Sequence, residues 1–294
     1  MTIPNRECNH GNDCENIETA WRAGRFCWSL EREAIVMAIL NVTPDSFSDG
    51  GSYDSVEKAV ATAKEFIVQG AEIIDIGGES TRPGAPAVDL DEELARVIPV
   101  IKALVAQTSA AISIDTCKPK VARAALEAGA DIVNDISGLR NEEMIKVCAE
   151  SECGIVAMHM QGTPQTMQHN PSYEDVVAEV RGFFEERYRT FINAGIAPDR
   201  IAFDPGIGFG KSIEHNKALL SSVRKYQVGD RPILMGLSRK SFIATLLESD
   251  EMESRESPTV ALTAMTRIEG AMIHRVHSVA SNRESLRMLE AVIV

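Results

Sequence analysis

The chain has 294 residues, of which 44% are hydrophobic and 25% charged, a composition typical of a globular protein. Its formal net charge of −13 argues against a general nucleic-acid or membrane-surface protein, although local basic residues could still bind a small anion. The longest strongly apolar run, residues 34–40, is too short to span a membrane, and residues 1–33 are polar. We therefore expect a cytoplasmic protein that contacts neither membranes nor nucleic acid.

Six cysteines are too few for a disulfide-rich scaffold in a chain of this length. Cys8, His10, Cys14 and Cys27 could in principle hold a zinc ion, but their spacing matches no common zinc-binding motif. Free thiols are the simpler expectation for the cysteines.

Short β-branched segments alternate with longer amphipathic segments, which predicts strands followed by helices. The eight predicted strands cover residues 36–42, 73–78, 112–116, 132–137, 154–160, 201–206, 233–238 and 272–277. Helical patterns follow them, for example at residues 55–69, 90–106, 119–128 and 173–194. Eight such units predict an α/β fold, a parallel sheet closed as a (β/α)8 TIM barrel, which needs about 250 residues.

The domain organisation follows from the spacing of these elements. Gly70, Gly129 and Gly195 each follow a helical pattern and precede a strand, which indicates one type of helix-to-strand turn used three times. No linker rich in proline, glycine or serine divides the chain, so we predict a single domain over residues 31–294. Residues 1–30 are predicted to form a partly flexible N-terminal extension.

A hairpin is expected to close the bottom of the barrel. Residues 26–30 and 34–40 flank a charged turn at residues 31–33, so the two apolar segments could pair with each other.

The ends of the predicted strands carry polar residues. Catalytic groups of such barrels lie at the carboxyl ends of the strands, so these residues are candidates for one shared site. In chain order they are Asn41, Asp75, Asp115, Asn134 and Asp135, His159, Asp204, residues 238–241, and Arg275 and His277. One polar strand end could merely cap a helix, but a complete rim of them indicates a functional site.

Arg275 and His277 are two residues apart and therefore lie on the same face of the last strand. A planar guanidinium beside an imidazole suits a phosphate group. The alternative is a structural arginine paired with a carboxylate. His274 lies on the opposite face, which we expect to point toward the helices.

Three loops after predicted strands are rich in glycine. Residues 41–51 contain two strong turn signals and form a longer connection than is usual between a strand and a helix. Residues 77–84 combine glycines with an arginine that could reach a ligand. Residues 204–211 resemble a phosphate-binding loop, but the Walker spacing is absent, so this signal alone is weak.

Together these motifs resemble those of the dihydropteroate synthases, from about residue 36 to the C-terminus. The matching segments are residues 41–51, 75–84, 115–116, 134–136, 158–160, 204–211, 238–241 and 275–277. The resemblance implies a homodimeric transferase of folate biosynthesis, a sulfonamide target. It would condense 6-hydroxymethyl-7,8-dihydropterin pyrophosphate with p-aminobenzoate to give 7,8-dihydropteroate and pyrophosphate.

The resemblance also implies roles for individual residues. The residues that would surround the pterin are Asp115, Asn134, Met158, Asp204, Phe209, Gly236 and Lys240. Carboxylates, an amide and an ammonium complement the donors and acceptors at the edges of a pterin. Asn41 would coordinate Mg²⁺ on the pyrophosphate, because an amide oxygen is a hard ligand for a hard ion. Arg275 and His277 would hold the pyrophosphate itself.

The p-aminobenzoate site is implied in the same way. Asp49, Arg82 and Lys240 would be the catalytic residues, and the pocket would be formed by Thr81, Pro83, Lys240 and Ser241. Ser241, close to the start of a helix, would suit the carboxylate of p-aminobenzoate.

Two other functions remain open at this point. A methyltetrahydrofolate-binding methyltransferase would keep the pterin residues but would have no use for Asn41, Arg82, Arg275 and His277. A non-catalytic pterin-binding protein should have lost one or more of the loop residues, and here the loops are intact.

Overall fold

The computed structural model describes residues 19–31, 33–43, 52–80 and 87–293, and of residues 52–55 it describes the backbone alone. The strands of this part of the chain are β1 (Ala20–Ala23), β2 (Phe26–Ser29), β3 (Ile35–Asn41), β4 (Ile73–Gly77), β5 (Ala111–Asp115), β6 (Ile132–Asp135), β7 (Gly154–Met158), β8 (Ile201–Asp204), β9 (Leu234–Met235) and β10 (Ile273–Val276). The helices are α1 (Ser52–Val68), α2 (Leu90–Gln107), α3 (Pro119–Glu127), α4 (Glu142–Ala149), α5 (Val176–Asn193), α6 (Ile213–Leu220), α7 (Val223–Tyr226), α8 (Ser241–Leu247), α9 (Glu256–Ile268) and α10 (Val279–Ile293).

Strands β3 to β10 form one parallel sheet in the order β8-β7-β6-β5-β4-β3-β10-β9. A parallel bridge between Phe203 and Ile233 brings its two ends, β8 and β9, together. Helices follow the strands, as a right-handed crossover between parallel strands requires. The predicted (β/α)8 barrel is therefore confirmed.

Side chains alternate between the inside of the barrel and the layer of helices, as the period of a strand demands. In β4, Ile73 belongs to the inner apolar cluster, whereas Ile74 and Ile76 belong to the outer cluster beneath the helices. The same alternation holds in β10, where Ile273 faces inward and Val276 faces the helices. The strand ends therefore direct alternate residues into one interior.

The bottom of the barrel is closed by the hairpin of β1 and β2. Trp21 and Trp28 stack with ring centroids 5.2 Å apart and pack against the inner residues of the barrel strands. The expected hairpin between residues 26–30 and 34–40 is wrong in its pairing. Gly24, at φ +55°, lets the chain turn between β1 and β2, and residues from Ile35 onward pair within the barrel instead.

The helix ends follow the expected capping chemistry. Gly70, Gly129 and Gly195 have φ of +103°, +102° and +87°, which confirms the predicted turn after α1, α3 and α5. Helix α5 begins at Val176 rather than at residue 173, because the side chain of Asp175 accepts the amide hydrogens of Val177 and Ala178 at 2.9 and 3.0 Å.

The predicted element boundaries hold to within a few residues, with the largest difference at the seventh barrel strand. This strand was expected at residues 233–238, but β9 has only two residues. Ile233 takes part only in the isolated bridge with Phe203, and residues 236–238 belong to the loop that leads to α8.

Among the described cysteines, Cys117, Cys148 and Cys153 are free thiols, as expected. Cys27 is disulfide-bonded, so the expectation of a free thiol is wrong there. Cys8, His10 and Cys14 lie outside the described residues. In the part of the chain that the structure describes, no helix is both long and apolar enough to cross a membrane.

Candidate active site

Four polar side chains from four strands form a hydrogen-bonded network inside the barrel. Arg275 of β10 donates from Nε to Oδ2 of Asp75 at 2.6 Å and from Nη2 to Oδ2 of Asp115 at 2.7 Å. Asn134 of β6 donates from Nδ2 to the same oxygen of Asp75 at 3.1 Å. Two of the residues predicted to bind pterin therefore connect to one predicted to bind pyrophosphate.

Burial strongly perturbs the charges of this network. It raises the pKa of Asp115 to about 7, Asp75 and Asp135 add to the rise, and Arg275 opposes it. Burial alone would lower the pKa of Arg275, but Asp75 and Asp115 outweigh it and raise the pKa. The guanidinium is therefore a permanent charge, whereas Asp115 can exchange a proton near neutral pH.

Asp204, Gly236 and Lys240 lie on the opposite side of the barrel from β4. Oδ1 of Asp204 accepts the amide hydrogen of Gly206 at 2.7 Å. A Cβ atom on Gly236 would lie 3.6 Å from Oδ2 of Asp204, so Gly236 stands directly beside this carboxylate. Burial lowers the pKa of Lys240 to about 8, with Arg275 adding to the effect and Asp204 and Asp115 opposing it.

Apolar side chains provide a surface on which a flat ring could lie. Met158 and Phe209, predicted to pack near the pterin, are both buried and belong to one small cluster with Ile136, Met160 and Met167. Nζ of Lys240 lies 3.9 Å from the centre of the Phe209 ring, a cation–π contact. The cluster therefore joins a polarisable sulfur-rich surface to a cation.

The loop after β8 is held in place by a buried lysine. Nζ of Lys211 lies 3.1 Å from Nδ1 of His159 and 3.0 Å from the carbonyl oxygen of Phe209. Burial lowers the pKa of Lys211 to about 7 and that of His159 to about 3, so His159 is neutral. Nδ1 of a neutral His159 can accept the lysine's hydrogen, which fixes the loop carrying Phe209 against the end of β7.

The two remaining candidates of the anion site lie at the rim. Nδ1 of His277 is 2.9 Å from Oγ of Ser238, which orients the half-buried imidazole. Asn41 ends β3 beside Gly77: a Cβ atom on Gly77 would lie 3.7 Å from Oδ1 of Asn41 and 3.9 Å from Oδ2 of Asp115. The absence of a side chain at Gly77 thus leaves room between this amide and this carboxylate.

A protein-only metal cluster does not occur among the described residues, where no group of three or more histidine, cysteine or acidic side chains is placed to hold an ion. Asn41 offers a single hard oxygen at a half-buried rim position. Such a site fits Mg²⁺ that arrives with a phosphate substrate, because Mg²⁺ keeps several waters and few protein ligands.

A cavity of about 250 Å³ opens beside Asp115 and Thr116, next to the network. Lys118 bridges the carboxylates of Glu79 and Glu93 at its wall. These ion pairs tie the loop after β5 to the loop after β4 and to helix α2. The first residues of the loops that follow β4 and β5 are therefore linked to each other and to α2 by these ion pairs.

Four of the predicted site residues lie outside the described residues: Asp49, Thr81, Arg82 and Pro83. Their roles stay predictions. Ser241, predicted for the same pocket, is the first residue of α8 and is exposed, immediately after Lys240. The remaining predicted residues lie in or at the rim of the barrel interior.

Asp75 was a candidate from the strand ends without an assigned role, and Lys211 and Met167 belong to the site but were not singled out from sequence. A carboxylate in the middle of the apolar strand segment IIDIG was a detectable signal, because an unpaired charge is not placed in a barrel interior. Asp135, in contrast, faces away from the interior and binds the amides of Ser137 and Leu139 with its carboxylate. Period-2 alternation with Asn134 would have predicted this difference.

Comparison with known proteins agrees with this geometry. The family model described as pterin binding enzyme matches residues 37–277. The dihydropteroate synthase of Escherichia coli (strain K12) is 46% identical over 258 residues, covering 88% of this chain and 91% of that protein.

Solved structures give the same result at the level of the fold. A dihydropteroate synthase of Burkholderia cenocepacia, complexed with 7,8-dihydropteroate, is 43% identical with a TM-score of 0.85 over 93% of this chain and 96% of that chain. The Yersinia pestis dihydropteroate synthase, in a sulfonamide drug complex, is 40% identical with a TM-score of 0.87 over 93% and 98% of the two chains. With both the barrel interior and these similarities in view, the chain belongs to the dihydropteroate synthase family of pterin-binding enzymes.

Proposed function

We propose that this protein is a transferase that condenses 6-hydroxymethyl-7,8-dihydropterin pyrophosphate with p-aminobenzoate, giving 7,8-dihydropteroate and pyrophosphate in folate biosynthesis. One observation carries the proposal: hydrogen-bonding groups for a flat heterocycle and a guanidinium for an anion occupy one barrel interior, joined through Asp115 and Arg275. A simple pterin-binding protein would need the first set but not the second.

The pterin would bind between the polar and the apolar walls of this interior. Asp115 and Asp204 would accept hydrogen bonds from the ring's N–H groups, and Lys240 would donate to a ring acceptor. Met158 and Phe209 would contact the faces of the ring, and Gly236 would leave it room. Both carboxylates are buried, which makes their hydrogen bonds strong and their loss costly.

The pyrophosphate would lie at the rim near β3 and β10. Arg275 carries the permanent charge, and His277, whose imidazole is oriented by its contact with Ser238, would bind the pyrophosphate beside it. Asn41 would hold Mg²⁺ through its amide oxygen; when bound, this ion would neutralise charge on the pyrophosphate. The arginine's two Nη groups could bind two phosphate oxygens once the contact with Asp115 is released.

The p-aminobenzoate would bind outside the pterin, near Lys240 and Ser241. Thr81, Arg82, Pro83 and Asp49 would complete this pocket. The sequence motif and the position of Lys240 beside Phe209 support this assignment. Sulfonamides, which resemble p-aminobenzoate, would compete for the same pocket.

In the reaction, the amine nitrogen of p-aminobenzoate forms a bond to the methylene carbon while the carbon–oxygen bond to pyrophosphate breaks. The bonding electrons leave with the pyrophosphate, and the amine loses one proton to solvent. An arylamine is nucleophilic without help, so the protein has no need of a nucleophilic serine or cysteine. Arg275 stabilises charge on the leaving group, which is an electrostatic form of catalysis.

We also propose a homodimer, as the resemblance implies. Exposed apolar residues lie on the two helices that pack together at the C-terminal end: Met265, Ile268, Met288, Val292 and Ile293. Exposed apolar residues on neighbouring helices are typical of an interface between subunits. A second copy of the chain would cover these exposed residues of α9 and α10. A cytoplasmic location stays a prediction.

The decisive experiment measures pyrophosphate release from the dihydropterin pyrophosphate with Mg²⁺, with and without p-aminobenzoate. The proposal requires release that depends on p-aminobenzoate and a product with the mass of 7,8-dihydropteroate. Tight pterin binding without release would indicate a non-catalytic pterin-binding protein. Methyl transfer from methyltetrahydrofolate to an acceptor such as a thiol or a corrinoid, in place of pyrophosphate release, would favour the methyltransferase.

A further inference from the structure

Asp75 occupies the centre of the site network although no role in ligand binding follows from its position. Oδ2 accepts hydrogen bonds from Nε of Arg275 at 2.6 Å and from Nδ2 of Asn134 at 3.1 Å. The sheet order places β4 in the middle, with β6 two strands away on one side and β10 two strands away on the other. One carboxylate oxygen thus holds two site residues from opposite directions.

We propose that Asp75 is a positioning residue for the condensation: it fixes the guanidinium of Arg275 by its Nε and sets the amide orientation of Asn134. The inference rests on the proposed function and adds to it a residue that does not itself touch substrate.

The contact between Asp75 and Arg275 leaves the two Nη groups of the guanidinium available to bind an anion. Asp75 holds Nε, the atom closest to the side-chain stem, whereas Asp115 holds Nη2. A pterin that binds Asp115 can therefore release Nη2 without releasing the arginine from its place. An arginine held by Nε presents both Nη groups to an anion in a fixed geometry, which loses less side-chain freedom on binding.

The contact with Asn134 decides which end of the amide a ligand meets. An ionised carboxylate only accepts hydrogen bonds, so the end of Asn134 that faces Asp75 must be the amino group. The carbonyl oxygen Oδ1 is then left as the acceptor for a ring N–H. Without the charge of Asp75, the amide of Asn134 could rotate and direct its amino group, a donor, toward the N–H donor of the ring.

A comparison with Asp135 separates this role from ordinary structural burial. Both carboxylates are fully buried and lie on strands, β4 and β6, that are separated by β5 alone. Asp135 binds the backbone amides that follow it in the chain and so stabilises its own loop. Asp75 binds side chains of the candidate site, and its Oδ1 has no hydrogen-bond partner in the described structure. The burial of Asp75 therefore does not serve mainly to stabilise the barrel.

The test is a double-mutant cycle, read by calorimetric titration of inorganic pyrophosphate with Mg²⁺ in the presence of 6-hydroxymethyl-7,8-dihydropterin. Asp75→Asn and Arg275→Ala should each weaken pyrophosphate binding about tenfold, and the double variant should bind no more weakly than Arg275→Ala alone. Asp135→Asn is the matched control: any loss it causes should multiply with that of Arg275→Ala. Losses that multiply for Asp75→Asn as well would overturn its action through Arg275.

The Asn134 contact has its own readout. Titration of the dihydropterin alone should show weaker binding for Asp75→Asn in the Arg275→Ala background, and no further loss in an Asn134→Ala background. An equal loss in both backgrounds would overturn the role of Asp75 in orienting Asn134.

A further variant covers the case in which Asp75→Asn does not fold. Arg275→Lys keeps the positive charge, but a lysine cannot bind Asp75 through one nitrogen and the pyrophosphate through two others. It should therefore weaken pyrophosphate binding nearly as much as Arg275→Ala. Near-normal binding by Arg275→Lys would overturn the proposal. If Arg275→Ala itself leaves pyrophosphate binding unchanged, the proposed anion site is wrong and the positioning role falls with it, an outcome distinct from multiplied losses.

Discussion

Nη2 of Arg275 lies 2.7 Å from Oδ2 of Asp115, so the principal cation and one of the principal acceptors of the site form an ion pair with each other. Both interpretations of Arg275 drawn from the sequence, a phosphate ligand and a partner of carboxylates, are compatible with this position. A ligand that takes either residue must compensate for the ion pair that it breaks.

The first prediction concerns Asp115→Asn. Folding raises the pKa of this carboxyl from 3.8 to about 7, so the unfolded chain loses the proton first, and ionised Asp115 costs stability as pH rises from about 4 to 7. At about 1.4 kcal/mol for each pH unit between these two pKa values, the asparagine variant should therefore be more stable than the wild type by on the order of 4 kcal/mol at pH 8, with little difference at pH 4.

Thermal unfolding at pH 4, 6 and 8 checks this expectation, with the exposed Asp250→Asn as the control. The same variant should bind the dihydropterin about tenfold more weakly or worse, because a buried acceptor is lost. A variant that is less stable than the wild type at pH 8 would show that the Arg275 ion pair outweighs the cost of burial.

The second prediction compares two glycines that both have positive φ. A Cβ atom on Gly206 would lie 2.0 Å from the carbonyl oxygen of His159, whereas a Cβ on Gly195 would meet nothing within 4 Å. Gly195→Ala should cost about 1 kcal/mol through backbone strain alone. Gly206→Ala should cost about 3 kcal/mol or more and weaken pterin binding, because the loop after β8 must move. Equal losses in urea unfolding of the two variants would contradict the close approach.

The third prediction concerns Lys211→Met. The apolar replacement fits the volume but leaves Nδ1 of His159 and the carbonyl oxygen of Phe209 without their donor, at a cost of about 1–3 kcal/mol. Because Phe209 is held by this loop, pterin affinity should fall as well. Lys217→Met, in an exposed ion pair on α6, is the control and should change neither quantity appreciably. Calorimetry measures the pterin affinity, and chemical unfolding measures the stability. Unchanged pterin affinity in Lys211→Met would show that the lysine contributes to stability alone.

The fourth prediction separates the barrel bottom from the site at its top. Trp21 is completely buried in the inner apolar cluster, so Trp21→Ala should destabilise the protein by about 3–5 kcal/mol. At a temperature where the variant stays folded, its turnover should remain close to that of the wild type. A large fall in turnover without unfolding would show that the hairpin and the site are coupled.

The fifth prediction tests the proposed dimer. Met288 and Val292 are 69% and 71% exposed and lie one helical turn apart on α10. Met288→Arg should convert the dimer into a monomer, as sedimentation velocity can measure, while Asn193→Arg, which adds the same charge at an exposed position of α5, should leave the dimer intact. A wild-type protein that sediments as a monomer at micromolar concentration would contradict the proposal directly.

The sequence by itself determined the alternation of strands and helices, the number of barrel strands and the residues at the strand ends. These features depend on local periodicity and on turn chemistry, which act over a few residues. The same alternation could have revealed that Asp75 and Asn134 face inward and Asp135 outward. The glycines that follow α1, α3 and α5 were also predicted from the sequence, because the local backbone conformation alone selects glycine there.

The tertiary structure decided what these side chains do to one another. No local pattern links Asp75 with Arg275, which are 200 residues apart, or Lys211 with His159. The pairing of the N-terminal hairpin was mispredicted because two apolar segments can pair with each other or with a barrel, and only competition with the complete sheet selects between them. The ionisation of Asp115 likewise depends on burial and on charges from three other strands, quantities that exist only once the barrel has closed.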